Sequence, residues 1–405
     1  MMDIRLFTQM LEIDSTSGRE RGLADFLADK LLTQKNSLMR FDVESMAGDV
    51  PDGCALPQNL FFSWGTPKVI FCSHLDTVPP YIPPHVCDSS AVDIDGDLNE
   101  NSSDSGNTDI PVCKITGRGT CDAKGQIFAM WEACKALEDM GMTDFGLLLL
   151  AGEETGSFGA KAFNSFISSP SSVISSEVEI SPDEWVIVGE PTDNCMATAE
   201  KGTKSYDITF TGKSCHSGYP ELGASAIMYF NDFVNALRSI VFPVDEVLGE
   251  TTWNIGDLVS ANPQNILSDR LTCRIYFRTT FESDEMVRNI MKNIAGPDAR
   301  LRFGRPAVQD GSDIVAKSVA PWQEAMSVNL RGGDAPTRFE VLDGFPVKAV
   351  AFGSDAPVLK CFRHRILCGP GSIHVAHRPD EHINIEDIET AVRNYIKMAQ
   401  RILEQ

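Results

Sequence analysis

The chain has 405 residues, 42% hydrophobic and 23% charged, a balance ordinary for a globular protein of two or three domains, or one domain carrying an insertion. Its 35 Lys and Arg against 57 Asp and Glu leave a net charge of −22, which argues against nucleic acid and anionic membrane surfaces as partners. Eleven cysteines, none in a C-x-x-C pair, argue against a disulfide framework or a structural zinc module and fit reduced thiols in a cytoplasmic protein.

Helical spacing of apolar residues predicts helices over 4–11 and 20–32. The opening MMDIRLFTQMLEIDS lacks the apolar core of a signal peptide, and the run LLLLA is too short to span a bilayer. A strand is expected at 69–72. Residues 88–109, DSSAVDIDGDLNENSSDSGNTD, read as a solvated surface loop. A helix follows from about Gly125 to Leu137, then short apolar strands at 146–151 and in WVIVGE, which ends at Glu190. Strands alternating with helices imply an α/β domain with a mostly parallel central sheet. Ligands of such sheets gather at the carboxyl ends of strands. His74, the pair Glu153 and Glu154, and Glu190 each follow directly on an apolar strand.

Near residue 200 the pattern changes. KSYDITFTG alternates as a half-buried strand, and a helix follows with Ile227, Phe230, Val234, Leu237 and Val241 as its stripe. Two strands, TTWNIGDLV and LTCRIYFRT, precede a helix carrying Val287, Ile290, Met291 and Ile294, with Ser283 as its N-cap. ARLRFGR is expected to close a β-α-β-β-α-β, ferredoxin-like α+β unit. The α/β pattern then returns and ends in an amphipathic helix through Ile388, Val392, Tyr395, Ala399 and Ile402. The expected division is a catalytic domain over 1–199 and 311–405, interrupted by an inserted domain over 200–310.

Individually the polar residues at the strand ends are ambiguous. His74 and Asp76 point the same way on an extended segment; they suit either a polar turn or a metal-bound imidazole with a carboxylate behind it. Asp122, in GRGTCDAKG, suits either a helix N-cap or a carboxylate shared by two metal ions. Glu153 and Glu154, in AGEETGS, suit a solvated turn, or one ligand beside one general base. His377, in GPGSIHVAHRPDE, competes with His374.

Together these segments resemble one family. H-x-D after a strand, G-R-G-x-x-D-x-K-G, E-E-x-G, G-E-P-T, and G-P-G with a late A-H-x-x-[DN]-E stand here in the order of the M20 metallopeptidases and deacylases. The resemblance spans essentially the whole chain. It implies a zinc-peptidase-like catalytic domain with an inserted lid and dimerisation domain, and hence a homodimer. It implies two Zn²⁺, with Co²⁺ or Mn²⁺ also acceptable to such donors. One ion would be held by His74, Asp122 and Glu190, the other by Asp122, Glu154 and His377. Two dications against three carboxylates and a hydroxide would leave that inner set neutral. Glu153 would be the general base, Asp76 the support of His74, and His216 a donor to the oxyanion. Arg278 with Asn265 would grip a substrate carboxylate. Gly353, Ser354 and Gly371 would line the site.

The stretch SHLDTVPPYIPP and the glutamate at 190 resemble the acetylornithine deacetylase branch, implying an N-acyl-L-amino acid as substrate. A peptidase of dipeptides or short peptides is the nearest alternative. A catalytically silent binding protein on the same fold is the remaining one.

Overall fold

The computed structural model describes residues 2–88, 112–168, 183–301 and 319–404. The acidic segment, from residue 89 on, lies outside them, as does ARLRFGR beyond Leu301. The chain forms two compact units. The first comprises Met1–Thr198, Phe339–Lys348 and Ser354–Gln405; the second comprises Ala199–Arg338 and Ala349–Gly353.

The first unit is built on a six-stranded sheet in the order Ser37–Asp42, Gln58–Trp64, Phe145–Leu150, Val69–His74, Trp185–Val188, His364–Leu367. The last four run parallel to one another. The first two form an antiparallel edge. VIFCSH and FGLLLL are buried along their whole length, as strands covered on both faces must be, and that is why they read as unbroken apolar runs. The helix Lys124–Asp139 is buried almost all round. It packs with the C-terminal helix Ile385–Leu403 on the core. Phe7 stacks on Phe128 with ring centroids 4.9 Å apart, and Phe71 meets Tyr395 edge-on at 5.5 Å.

Strand register positions the site. His74 stands opposite Leu150, and Cys72 opposite Val188. Two of these adjacent parallel strands end level and the third two residues short of them, and each carries a polar residue at or just past its end: His74 itself, Glu153 after Leu150, and Glu190 after Val188.

In the second unit, four strands form an antiparallel sheet in the order Thr252–Val259, Arg270–Thr279, Gly202–Thr211, Met326–Gly332. The helices Ala226–Arg238 and Asp284–Asn293 share its core, with Phe210, Phe233, Ile275, Phe277 and Val287. The topology is the expected split βαβ, but the closing strand is Met326–Gly332. Ala299–Leu301 form no strand, and the unit runs on to Arg338 rather than 310. Two details also differ from expectation. Ile227 and Val241 are exposed, and beside the expected Leu237 the first helix buries Ala226, Phe233 and Ala236. Ser283 does stand at the N-cap, but its hydroxyl accepts from the amide of Thr280 rather than from the helix.

Candidate metal centre

His74 ends its strand buried, at 2% exposure. Its Nδ1 lies 2.9 Å from the carbonyl of Asp76. A neutral imidazole donating there leaves Nε2 as a bare lone pair, and Nε2 lies 3.0 Å from Asp122 Oδ1 and 3.9 Å from Glu190 Oε1. The other oxygen of Asp122, Oδ2, lies 3.2 Å from His377 Nε2, which is itself 3.0 Å from Glu154 Oε1. Asp122 thus offers one oxygen to each histidine. His74–Asp122–Glu190 and Asp122–Glu154–His377 each bring three donor atoms within 4.8 Å of one another, as do His74, Glu153 and Glu154. His374 is exposed and belongs to none of these groups among the described residues.

Asp122 is not a helix cap: Ala123 occupies the N-cap. A residue far along the chain shapes its loop. Glu381 is fully buried. Its Oε1 accepts from the amides of Gly119, Cys121 and Asp122 at 2.9, 3.1 and 3.2 Å. Its Oε2 takes Arg118 Nη1 at 2.5 Å. Such a pair survives burial because its remaining lone pairs are used; losing one partner typically costs about 3–5 kcal/mol. Gln126 ties the same loop to the His377 side, donating to the carbonyls of Cys121 and Pro370 at 2.9 and 2.8 Å. Gly125 must be glycine, since a Cβ would stand 2.1 Å from the carbonyl of Thr120.

Asp76 meets His74 with two acceptors: its carboxylate Oδ1 lies 3.5 Å from His74 Nδ1, and its backbone carbonyl is the nearer, at 2.9 Å. The carboxylate accepts from the amides of Glu153 at 3.0 Å and Glu154 at 3.1 Å, and from the Ser17 hydroxyl at 2.9 Å. It therefore orients the short helical turn Glu153–Gly156, which Gly152 enters with φ 69°. Asp76 positions the two glutamates.

Carboxylates crowd this region. Burial pushes the carboxyl of Glu153 well up, opposed by His74 and reinforced by Glu190 and Asp355. Burial raises Glu190 as well, and burial with the charge of Asp122 raises Glu154. Asp122 and Glu154 push His377 up to about 10. So many inward-facing carboxylates require compensating positive charge, and imidazole and carboxylate donors are the chemistry that divalent Zn, Mn and Co accept. The residues fit a pair of such ions sharing Asp122.

The remaining expected site residues divide between the units. In the first, Gly371 (φ 76°) packs against the loop of Asp122, where a Cβ would stand 2.6 Å from Cys121 Sγ. Ser354 is buried and takes the amide of Ala356 at 3.2 Å. In the second, the amide of Ser217 donates to the carbonyl of Asn265 at 2.9 Å, placing Asn265 beside the His216 loop. The amide of Gly218 donates to His216 Nδ1 at 3.0 Å, so the neutral ring carries its proton on Nε2, at an exposed position. Gly353 adjoins Arg278, with a Cβ there 3.4 Å from Nη1. Sequence reasoning missed the parts played by Glu381 and Ser17; the only signal for Glu381 was its place closing A-H-R-P-D-E.

Known proteins resemble this chain over nearly its whole length. Residues 198–300 match the M20 peptidase dimerisation domain. A probable carboxypeptidase of Aspergillus terreus is 30% identical over 420 aligned residues, covering 96% of this chain and 84% of that protein. The chain belongs to the M20 family of metallopeptidases. Among solved M20-like folds, a tripeptidase from Staphylococcus aureus superposes with a TM-score of 0.70 at 18% identity, covering 99% of this chain and 98% of that one. An M20 metallo-carboxypeptidase from Sulfolobus solfataricus gives 0.63 at 14% identity, covering 99% of both chains. The M20 assignment makes the protein a hydrolase of amide bonds. No helix among the described residues is long and apolar enough to cross a membrane.

Proposed function

We propose that the chain is a two-metal carboxypeptidase, releasing the C-terminal residue of a short peptide. The observation carrying this reading is Asp122, with one carboxylate oxygen toward His74 and the other toward His377. His74, Asp122 and Glu190 would hold one zinc, and Asp122, Glu154 and His377 the other. When bound, such ions polarise the scissile carbonyl and make water nucleophilic near neutral pH. Glu153, held at its backbone by Asp76, takes the proton of the attacking water and hands it to the leaving amine. His216 Nε2 donates to the developing oxyanion. Arg278, with Asn265, grips the terminal carboxylate through its planar fork.

The name of the Aspergillus relative favours a peptide over an N-acyl amino acid. The two substrates present the same bond, an acyl group on an amino acid with a free carboxylate. Glutamate rather than aspartate at 190 keeps deacylation, as of N-acetylornithine, as a second reading. A panel of dipeptides, tripeptides, their C-terminal amides, N-acetylornithine and other N-acyl amino acids, assayed with Zn²⁺, Co²⁺ or Mn²⁺, separates them. Peptides with a free C-terminus should be turned over at least tenfold faster than the amides. Equal rates on amides would sink the carboxypeptidase reading, and preference for N-acetylornithine over every peptide would establish the second.

Large apolar side chains, Met228 on the helix Ala226–Arg238 and Leu258 and Val259 on an edge strand of the second unit, are exposed. They support a homodimer formed through that unit; a solution mass equal to one 44.4 kDa chain would exclude it.

A further inference from the structure

His377 differs from the other proposed ligands in its backbone. Its φ of 63° lies in the left-handed region, where none of His74, Asp122, Glu154 and Glu190 lies. A residue other than glycine stays in that sparsely populated region only where its surroundings impose it. His377 makes no backbone hydrogen bond among the described residues, so its neighbours along the chain must hold it. Before it, the carbonyl of Ser372 accepts from the amide of Val375 at 3.1 Å. After it, the carbonyl of Arg378 accepts from the amide of Glu381 at 3.3 Å, closing a turn directly beyond the histidine.

One buried side chain reaches into that turn from a distant loop. Arg118 Nη1 lies 2.5 Å from Glu381 Oε2 and 3.4 Å from the carbonyl of Arg378, so it grasps both ends of the turn. Its Nε donates to the carbonyl of Pro80 at 3.3 Å, a few residues beyond His74. The guanidinium thus joins the segment after His74 to the segment after His377. Its planar fork suits several acceptors in fixed directions, which a lysine ammonium does not reproduce. The two members of the ion pair have separate tasks. Glu381 holds the amide of Asp122, a residue common to both donor groups. Arg118 holds the turn that follows His377, which belongs to one of them.

Resting on the two-metal reading above, we propose that Arg118 is a positioning residue for one ion only, the one assigned to Asp122, Glu154 and His377. By clamping the turn over residues 378–381, it keeps His377 in its left-handed conformation. Nε2 then stays 3.2 Å from Asp122 Oδ2 and 3.0 Å from Glu154 Oε1, where an ion can be shared among the three. Arg118 touches neither that ion nor the substrate; it acts through His377. The ion of His74, Asp122 and Glu190 does not depend on this turn, because Glu381 keeps Asp122 in place without it.

The test is a Co²⁺ titration of the metal-free, full-length chain, followed by visible absorption and by metal retained after dialysis. The wild type should take two ions. Arg118→Lys keeps a cation beside Glu381 but cannot span the carbonyls of Arg378 and Pro80. It should bind one ion as the wild type does and the other at least about tenfold more weakly, the usual cost of losing a partner that orients a metal ligand. Dialysis should then leave about one ion per chain, and excess Co²⁺ should refill the weakened position and restore kcat. His377→Ala, which removes the ligand itself, sets the limit of that loss. Should Arg118→Lys fail to fold, Arg118→Gln combined with Glu381→Gln leaves no buried charge unpaired, and the same one-ion loss is expected of it. Two ions held with wild-type affinity overturn the inference. Equal weakening of both ions overturns it too, making Arg118 a general support of the fold. A wild type that takes only one ion refutes the two-metal reading and this inference together.

Discussion

Glu153→Gln is expected to keep its full complement of metal and lower kcat by about 10²–10⁴-fold, the usual contribution of a positioned general base. The substitution preserves shape and the amide donated to Asp76 at 3.0 Å, so the turn Glu153–Gly156 should persist. It removes only the capacity to accept and return a proton. Because that capacity matters in the transition state and not in binding, KM should change little. Glu153 also falls within one donor group with His74 and Glu154, so a structural role as ligand is the physical alternative. Metal analysis beside the kinetics separates the two. Loss of metal together with activity would identify Glu153 as a ligand, and full activity would remove it from the mechanism.

The strand ends were the readable part of this site. A parallel strand covered on both faces is an apolar run, and a polar residue at its end has few reasons to be there. His74, Glu153, Glu154 and Glu190 are visible for that reason. Long-range contacts were not visible. Glu381 acts on the amide of Asp122 across 259 positions, and nothing in the local sequence at 117–122 reveals that its amides converge on one carboxylate. Further partners of the Asp76 carboxylate were hidden for the same reason, since they are the amides of Glu153 and Glu154, 77 and 78 positions away. In the second unit, the closing strand Met326–Gly332 is an edge strand with mostly exposed side chains, so it lacks the alternation that identified its neighbour Gly202–Thr211. The helix Ala226–Arg238 hid its inner face because two of its buried positions are alanines, which a search for large apolar residues passes over.

Asp122→Ala should be the most damaging change to the centre. Its two oxygens are shared between both donor groups. Truncation would therefore strip a ligand from each ion at once, whereas Glu190→Ala or His377→Ala would touch one. It would also leave Glu153, Glu154 and Glu190 facing one another without the histidine contacts that Asp122 organises. The expected result is less than one metal ion per chain after dialysis, against about two for wild type, with activity reduced by at least about 10⁴-fold. Added Zn²⁺ should raise the Tm of the wild type, because an ion bound only to the folded state stabilises it by mass action. The same addition should leave the Tm of Asp122→Ala unchanged. The fold should survive, because the loop amides bind Glu381 through backbone atoms that the substitution does not alter. Two ions retained by the variant would show that Asp122 does not bridge, and the paired centre would have to be redrawn around Glu154 and Glu190.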